Sequence, residues 1–310
     1  MTDAETAERP GGHATPLPQL HGVLVLNKPS GPASTRCLAA IKRLGQKKIG
    51  HAGTLDPLAS GVLLVLLGQA TKLSSHLMAG GCKIYNGVLR LGQTTDTWDR
   101  QGNVLAESLW DSVSVEDVLR EVALWREIRE QPVPPYSAAK HNGQPLYRLA
   151  RKGQDMPQKV KGTYISQADT LDVSLPFVRF RVTCSSGTYI RSLAHSLGMR
   201  LGCGAVLTEL TREYSHPFGL DVSCHLRDME ATPPLLARYL RPVTEALPDW
   251  ARVELTPGEA GRVRNGLPVF RPLETEAKRA LLLYRGDVLA LAERGAETAH
   301  CWTVLRGLWN

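Results

Sequence analysis

The densest chemical signal in the chain is the run Gly50-His51-Ala52-Gly53-Thr54-Leu55-Asp56-Pro57-Leu58-Ala59-Ser60-Gly61. Gly50, Gly53, Gly61 and Pro57 force a tight backbone path around one carboxylate. Pro57 pushes Asp56 out of helical geometry, so its side chain is displayed rather than wound into a helix. A displayed carboxylate is equipped for nucleophilic attack or proton transfer. The same dipeptide also suits an ordinary helix start, with Asp as cap and Pro at the first helical position. Spacing alone favours the cap, because caps are common and catalytic carboxylates are rare.

The six cysteines, Cys37, Cys82, Cys184, Cys203, Cys224 and Cys301, form no CxxC pair, and no histidine joins them at zinc-ligand spacing. They read as reduced, mostly buried thiols of a cytosolic protein, and no metal site is expected.

Several elements must hold the Asp56 loop in place. Gly22–Leu26 reads as a short buried strand. A helix is expected from Ser34 to about Leu44, with Leu38, Ile41 and Leu44 on one face and Arg36 and Arg43 outside it. Val62–Leu67 is a buried strand or a core helix segment, far short of the ~20 apolar residues of a membrane helix. Another short helix is expected around Leu146 to Lys152. Pro242, Pro248 and Asp249 mark a boundary near residue 247. Beyond it, Ala251–Leu255 reads as a strand, and Thr256-Pro257-Gly258-Glu259 as a capped helix start closed by Asn265-Gly266. Ala280–Tyr284 and Val288–Leu291 form a hairpin around Arg285-Gly286-Asp287, and Trp302–Leu305 is a last strand. The expected organisation is a disordered tail over 1–19, a large domain over 20–247 and a small β-rich module over 248–310. Asp3, Glu5 and Glu8 sit where a secretory signal would be basic, so a soluble, cytoplasmic protein is expected.

The charge balance is 37 Lys and Arg against 30 Asp and Glu, a net +7 over 310 residues. The excess is clustered. Pro10 to Leu55 holds no acidic residue but contains Lys28, Arg36, Lys42, Arg43, Lys47 and Lys48. A second cluster, Lys140, Arg148, Arg151, Lys152, Lys159 and Lys161, faces a lone Asp155 in a basic insert over about 130–165. Two such clusters are an electrostatic footprint for phosphates.

The Asp56 run resembles the signature loop of the TruB family, the bacterial-type tRNA pseudouridine-55 synthases. Further blocks follow in the family's order. These are Gly22 to Gly31 (GVLVLNKPSG), Lys83-Ile84-Tyr85 with Leu91 to Thr97 and Gly102, and Gln131 to Lys140 (QPVPPYSAAK) with Gly143 and Leu146-Tyr147. The last runs from Cys184 to Ala194, with Gly202-Cys203-Gly204-Ala205 and Leu210-Thr211-Arg212. Ala33, and Val133 with its shifted prolines, depart from the family pattern at positions with no expected chemistry.

The resemblance implies an α+β fold, with a mixed, largely antiparallel sheet, flanking helices, a central cleft and a PUA-like RNA-binding tail module. It implies isomerisation of one uridine in the TΨC loop of tRNA to pseudouridine after base flipping, with no cofactor. Asp56 matches the catalytic aspartate, Arg191 the arginine that pairs with it, and Tyr85 the tyrosine that stacks on the target base. His51 matches the histidine implicated in displacing the target nucleotide, with Tyr189 in support and Leu210 in the pocket floor. The basic clusters place tRNA-backbone grip on Lys28, Arg43, Lys48, Lys140, Arg148 and Arg151. The expected partner is the TΨC stem-loop of tRNA, bound by a monomer with no obligate protein partner and no membrane. The guide-RNA-directed synthases share these motifs, but the compact tail and the insert favour the stand-alone type.

Overall fold

The computed structural model describes residues 17–152, 159–270, 276–295 and 301–309. A ten-stranded mixed sheet forms its centre. The strands used below are β1 (Gly22–Lys28), β2 (Ile49–Ala52), β3 (Ser60–Leu67), β4 (Cys82–Leu91), β5 (Ile165–Ser174), β6 (Phe177–Ser185) and β7 (Ala205–Ser215). Their order across the sheet is β5-β6-β4-β7-β3-β1, with Cys224–His225 beyond β1 and β2 paired to β3. Most neighbours are antiparallel; β7 with β3, and β1 with Cys224–His225, are parallel. The fold is thus α+β with a largely antiparallel sheet, as the resemblance implied.

The unbroken apolar runs of β1 and β3 have a direct cause: both faces of these strands are buried. Leu24 and Leu26 of β1, with Leu63, Val65 and Leu67 of β3, enter the main core. The alternate residues Val23, Val25, Val62, Leu64 and Leu66 enter a second core on the opposite face. Val62–Leu67 is therefore strand and not helix. Helix α1 (Ser34–Arg43) buries Cys37, Ala40 and Ile41, while Leu38 and Leu44 pack at its margin. Helix α2 (Val115–Ala123) is closed by a capping box between Ser114 and Asp117. Helices α3 (Leu146–Arg151) and α4 (Ile190–Arg200) follow.

The second core is completed by the C-terminal module. Its five strands are β8 (Ala251–Glu254), β9 (Val269–Phe270), β10 (Arg279–Tyr284), β11 (Asp287–Arg294) and β12 (Cys301–Gly307), in the order β8-β10-β11-β12-β9. Helix α5 (Pro257–Arg264) begins with the expected Thr256–Glu259 capping box, and Arg285-Gly286 turn the hairpin with φ of 54° and 83°. Leu281 and Leu283 of β10 pack on the face of β1 and β3 with Leu291 and Leu308, whereas Ala280 and Leu282 fill the module's own core with Trp302. A curled five-stranded half-barrel docked on the main sheet is consistent with the PUA-like tail.

Residues 17–19 differ from the sequence expectation. Leu17 packs against the main core, and Gln19 accepts a hydrogen bond from the Lys48 backbone N–H and donates to Gln46. The rest of the expected tail, and Asp155, lie outside the described residues. All six cysteines are free thiols.

Candidate active site

The segment after β2 reaches Asp56 by way of Gly53, whose φ is +80°. No helix follows Pro57, so Asp56 is not a helix cap. The loop is held instead by the opening block of the chain. Ser34 Oγ donates to Leu55 O and accepts from the Leu55 N–H. Ser30 Oγ donates to Leu58 O at 2.7 Å, and Gly31 N–H to Pro57 O at 2.8 Å. Lys28 Nζ donates to Ala59 O at 2.7 Å and to Pro29 O at 2.8 Å.

These bonds correct one expectation. Lys28 is 0% exposed, and burial pushes its ammonium down to about 8. Its side chain ties the Asp56 loop to β1 and does not reach a phosphate. The other basic candidates are distributed differently. Arg43 and Lys48 are exposed, the first 3.5 Å from Glu230 and the second donating to Gln69. Lys140 and Arg148 are exposed on the insert. Arg151 ends α3, but its side chain lies outside the described residues.

Arg191 enters from the first turn of α4, where the helix dipole disfavours a cation. Its surroundings offset that. Nε donates to Asp56 Oδ2 at 2.8 Å, Nη1 to Thr97 O at 2.8 Å and Nη2 to Tyr136 O at 3.1 Å. Asp99 Oδ2 lies 3.8 Å from Nε. The arginine side chain is only 4% exposed, whereas the Asp56 side chain is 36% exposed. The carboxylate is thus fixed on one side and open on the other.

It opens into a cavity of about 440 Å³. Asp56, Tyr85, Tyr189, Arg191 and Leu210 all line it. Tyr85 is buried on β4, where burial raises its hydroxyl, and Arg212 Nη1 approaches that hydroxyl at 3.5 Å. Tyr189 caps α4 and reaches the cavity, with Lys161 Nζ 5.8 Å from its ring centre. His51 is the exception. It lies on β2 opposite Val65, its Nδ1 is buried without a partner, and it is not among the cavity-lining residues. Burial, then Arg212, lowers its proton affinity. Among the described residues no three His, Cys, Asp or Glu side chains converge to hold a metal ion.

Three groups at the site were not singled out from sequence. Lys83 lines the cavity and donates to Ser186 Oγ at 3.0 Å. Its position two residues before Tyr85 on a strand places both on one face, a signal the sequence did contain. Arg212 is fully buried and donates to Val62 O and Gly53 O. Asp99 stands just beyond the Leu91–Thr97 block, where no pattern marked it.

Residues 42–190 match the family described as TruB family pseudouridylate synthase (N terminal domain). The tRNA pseudouridine synthase B of Oleidesulfovibrio alaskensis is 61% identical over 303 residues, covering 95% of this chain and 98% of that one. The chain belongs to the TruB family of tRNA pseudouridine synthases. The protein of the same name from Nitratidesulfovibrio vulgaris strain Miyazaki F is 57% identical, covering 94% of this chain and 98% of that one. In fold, the chain is similar to a Cbf5-Nop10-Gar1 complex structure, with a TM-score of 0.68 at 22% identity over 93% of this chain and 85% of that chain. The enzyme is an isomerase, and its cavity holds one displayed carboxylate, one clamped guanidinium and one buried tyrosine. No described helix is long and apolar enough to cross a membrane.

Proposed function

We propose that this enzyme converts uridine 55 in the TΨC loop of tRNA to pseudouridine, as a monomer in the cytoplasm, without a cofactor or an obligate protein partner. The reading is carried by the Asp56 carboxylate, held by Arg191 Nε at 2.8 Å at the wall of a nucleoside-sized cavity.

The target base is stacked in its loop and must flip out, at a cost of a few kcal/mol. Stacking on Tyr85 repays part of that cost. The N1–C1′ bond then breaks, with Asp56 either bonding to C1′ or removing the C2′ proton to leave a glycal. The uracil turns within the cavity and C5 bonds to C1′. C5 loses a proton, N1 gains one, and nothing is consumed overall. Arg191 keeps Asp56 ionised and oriented. The exposed Arg43, Lys48, Lys140 and Arg148 are assigned to the tRNA backbone.

The test is pseudouridine mapping on bare tRNA treated with purified protein. Wild type modifies position 55 unaided, and Asp56→Asn forms no pseudouridine while still binding tRNA. Activity in that variant would overturn the role of Asp56. A need for guide RNA or accessory protein would overturn the stand-alone reading.

A further inference from the structure

Lys83 is a buried cation of the cavity that the reaction above does not use. It stands on β4 two residues before Tyr85, and both side chains line the cavity. Only 6% of the residue is exposed. An ammonium has three protons to donate; the structure places one, on Ser186 Oγ at 3.0 Å. The charges acting on it are Arg212 and Lys161, both cationic, and the Cys184 thiol beside it is held neutral by burial. Burial, with Arg212 next, pushes the ammonium down to about 8.

The signature loop makes room for this group. A methyl at Gly53 would fall 3.0 Å from Lys83 Nζ and 3.4 Å from Arg212 Nη1. The glycine three residues before Asp56 therefore lets a lysine and an arginine approach the catalytic loop. A buried cation with cationic neighbours is costly unless a ligand brings negative charge to it.

We propose that Lys83 is a catalytic residue that donates to a uracil carbonyl and stabilises the negative charge the base acquires when its N1–C1′ bond breaks. The inference rests on the pseudouridine reading but not on the route taken by Asp56. In either route the N1–C1′ electron pair leaves with the base and spreads from N1 onto O2 and O4. A donor fixed where charge develops accelerates that step, by about 10²–10³-fold per donor in comparable sites. When C5 attacks C1′ the charge returns to the new bond, and Lys83 keeps its proton throughout.

The test compares wild type, Lys83→Met, Lys83→Arg and Asp56→Asn in single-turnover reactions on two tRNA transcripts. One carries uridine at the target and the other 5-fluorouridine, whose anion is the better leaving group; the readout on both is loss of the N1-linked nucleoside, because C5 of the second has no proton to lose. Lys83→Met is expected to slow the uridine reaction about 10²-fold or more, with tRNA affinity within about threefold of wild type. On 5-fluorouridine its deficit shrinks to under about tenfold, and Lys83→Arg is intermediate on both. In wild type, kcat/KM falls as pH rises through about 8, because the ammonium loses its proton and with it its charge. Arg212, Lys161 and Cys184 act on the group, Tyr85 and Asp56 line the same cavity, and all remain in Lys83→Arg, which should lose that fall.

A rate within threefold of wild type, or an equal deficit on both transcripts, would overturn the proposal, the latter marking a structural role. A deficit confined to tRNA affinity would make Lys83 a phosphate contact and also overturn it. Asp56→Asn separates the two readings: activity there defeats the aspartate mechanism whatever Lys83 does. Thermal melting of Lys83→Met guards against misfolding, and Ser186→Ala, which removes only the partner hydroxyl, should lower the rate less.

Discussion

Arg191 uses Nε, Nη1 and Nη2 on separate acceptors: the Asp56 carboxylate, Thr97 O and Tyr136 O. A planar guanidinium can make those three bonds at once, and a lysine ammonium cannot span them. Arg191→Lys should therefore keep the charge and lose the orientation of Asp56. A loss of about 3–4 kcal/mol of transition-state stabilisation corresponds to roughly 10²–10³ in rate. Single-turnover kinetics with a parallel binding assay would check it: kcat falls while tRNA affinity is kept. Near-wild-type turnover would show that the Asp56–Arg191 contact does not matter to the chemistry. His51 shows the reverse case, since its place in the signature suggested a role at the base that cavity lining alone does not give it.

Among the elements, β1 and its following turn act as a brace. The bonds from Lys28, Ser30, Gly31 and Ser34 run to residues 55–59 and replace the helix that the Asp-Pro dipeptide would have capped. Lys28→Met leaves two carbonyls without their donor, at about 1–3 kcal/mol each, and relieves part of the cost of a buried charge. The net expectation is a destabilisation of roughly 1–3 kcal/mol, or a melting temperature lower by about 2–8 °C. Activity should fall with the loosened loop, while the salt dependence of tRNA binding stays that of wild type. A reduced salt slope would return Lys28 to the phosphate contacts. Helix α4 is the second positioning element, because its first turn delivers both Tyr189 and Arg191 to the cavity.

For the molecule as a whole, the +7 charge is not one surface. Lys28, Lys83 and Arg212 are buried and serve the site, so they add little to an external field. Arg43, Lys48, Lys140 and Arg148 are exposed and are the residues proposed for the tRNA backbone. Each phosphate contact contributes about one unit to the slope of log affinity against log salt. Replacing Lys140 and Arg148 together by alanine should lower that slope by up to about 2, with the single-turnover rate at saturating tRNA unchanged. An unaltered slope would remove the insert from the interface. The C-terminal module is bound by the same logic of burial: Leu281, Leu283, Leu291 and Leu308 cover the face of β1 and β3 that would otherwise meet water. Each such side chain contributes about 1.5–3 kcal/mol when fully buried, which fastens the module to the catalytic sheet.

Much of this was legible in the residues themselves. The Thr256–Glu259 cap, the Arg285-Gly286 turn and the apolar runs of β1 and β3 are local, and local chemistry decides them. The Asp56, Tyr85 and Arg191 set came from the resemblance of the ordered blocks to the TruB family, since spacing alone favoured Asp56 as a helix cap. Burial of charge leaves no pattern in the chain. Lys28 and Arg43 read alike in sequence, yet one is enclosed by two carbonyls and the other is solvated beside Glu230. Whether Asp56 capped a helix, whether Val62–Leu67 was strand or helix, and which cations reach the cavity depended on segments separate in sequence packing together, Arg191 reaching Asp56 across 135 residues. Only the tertiary structure pairs Arg191 with Asp56 and brings Lys83 into the same cavity with Arg212 behind Tyr85, because desolvation and long-range pairing are properties of the folded chain.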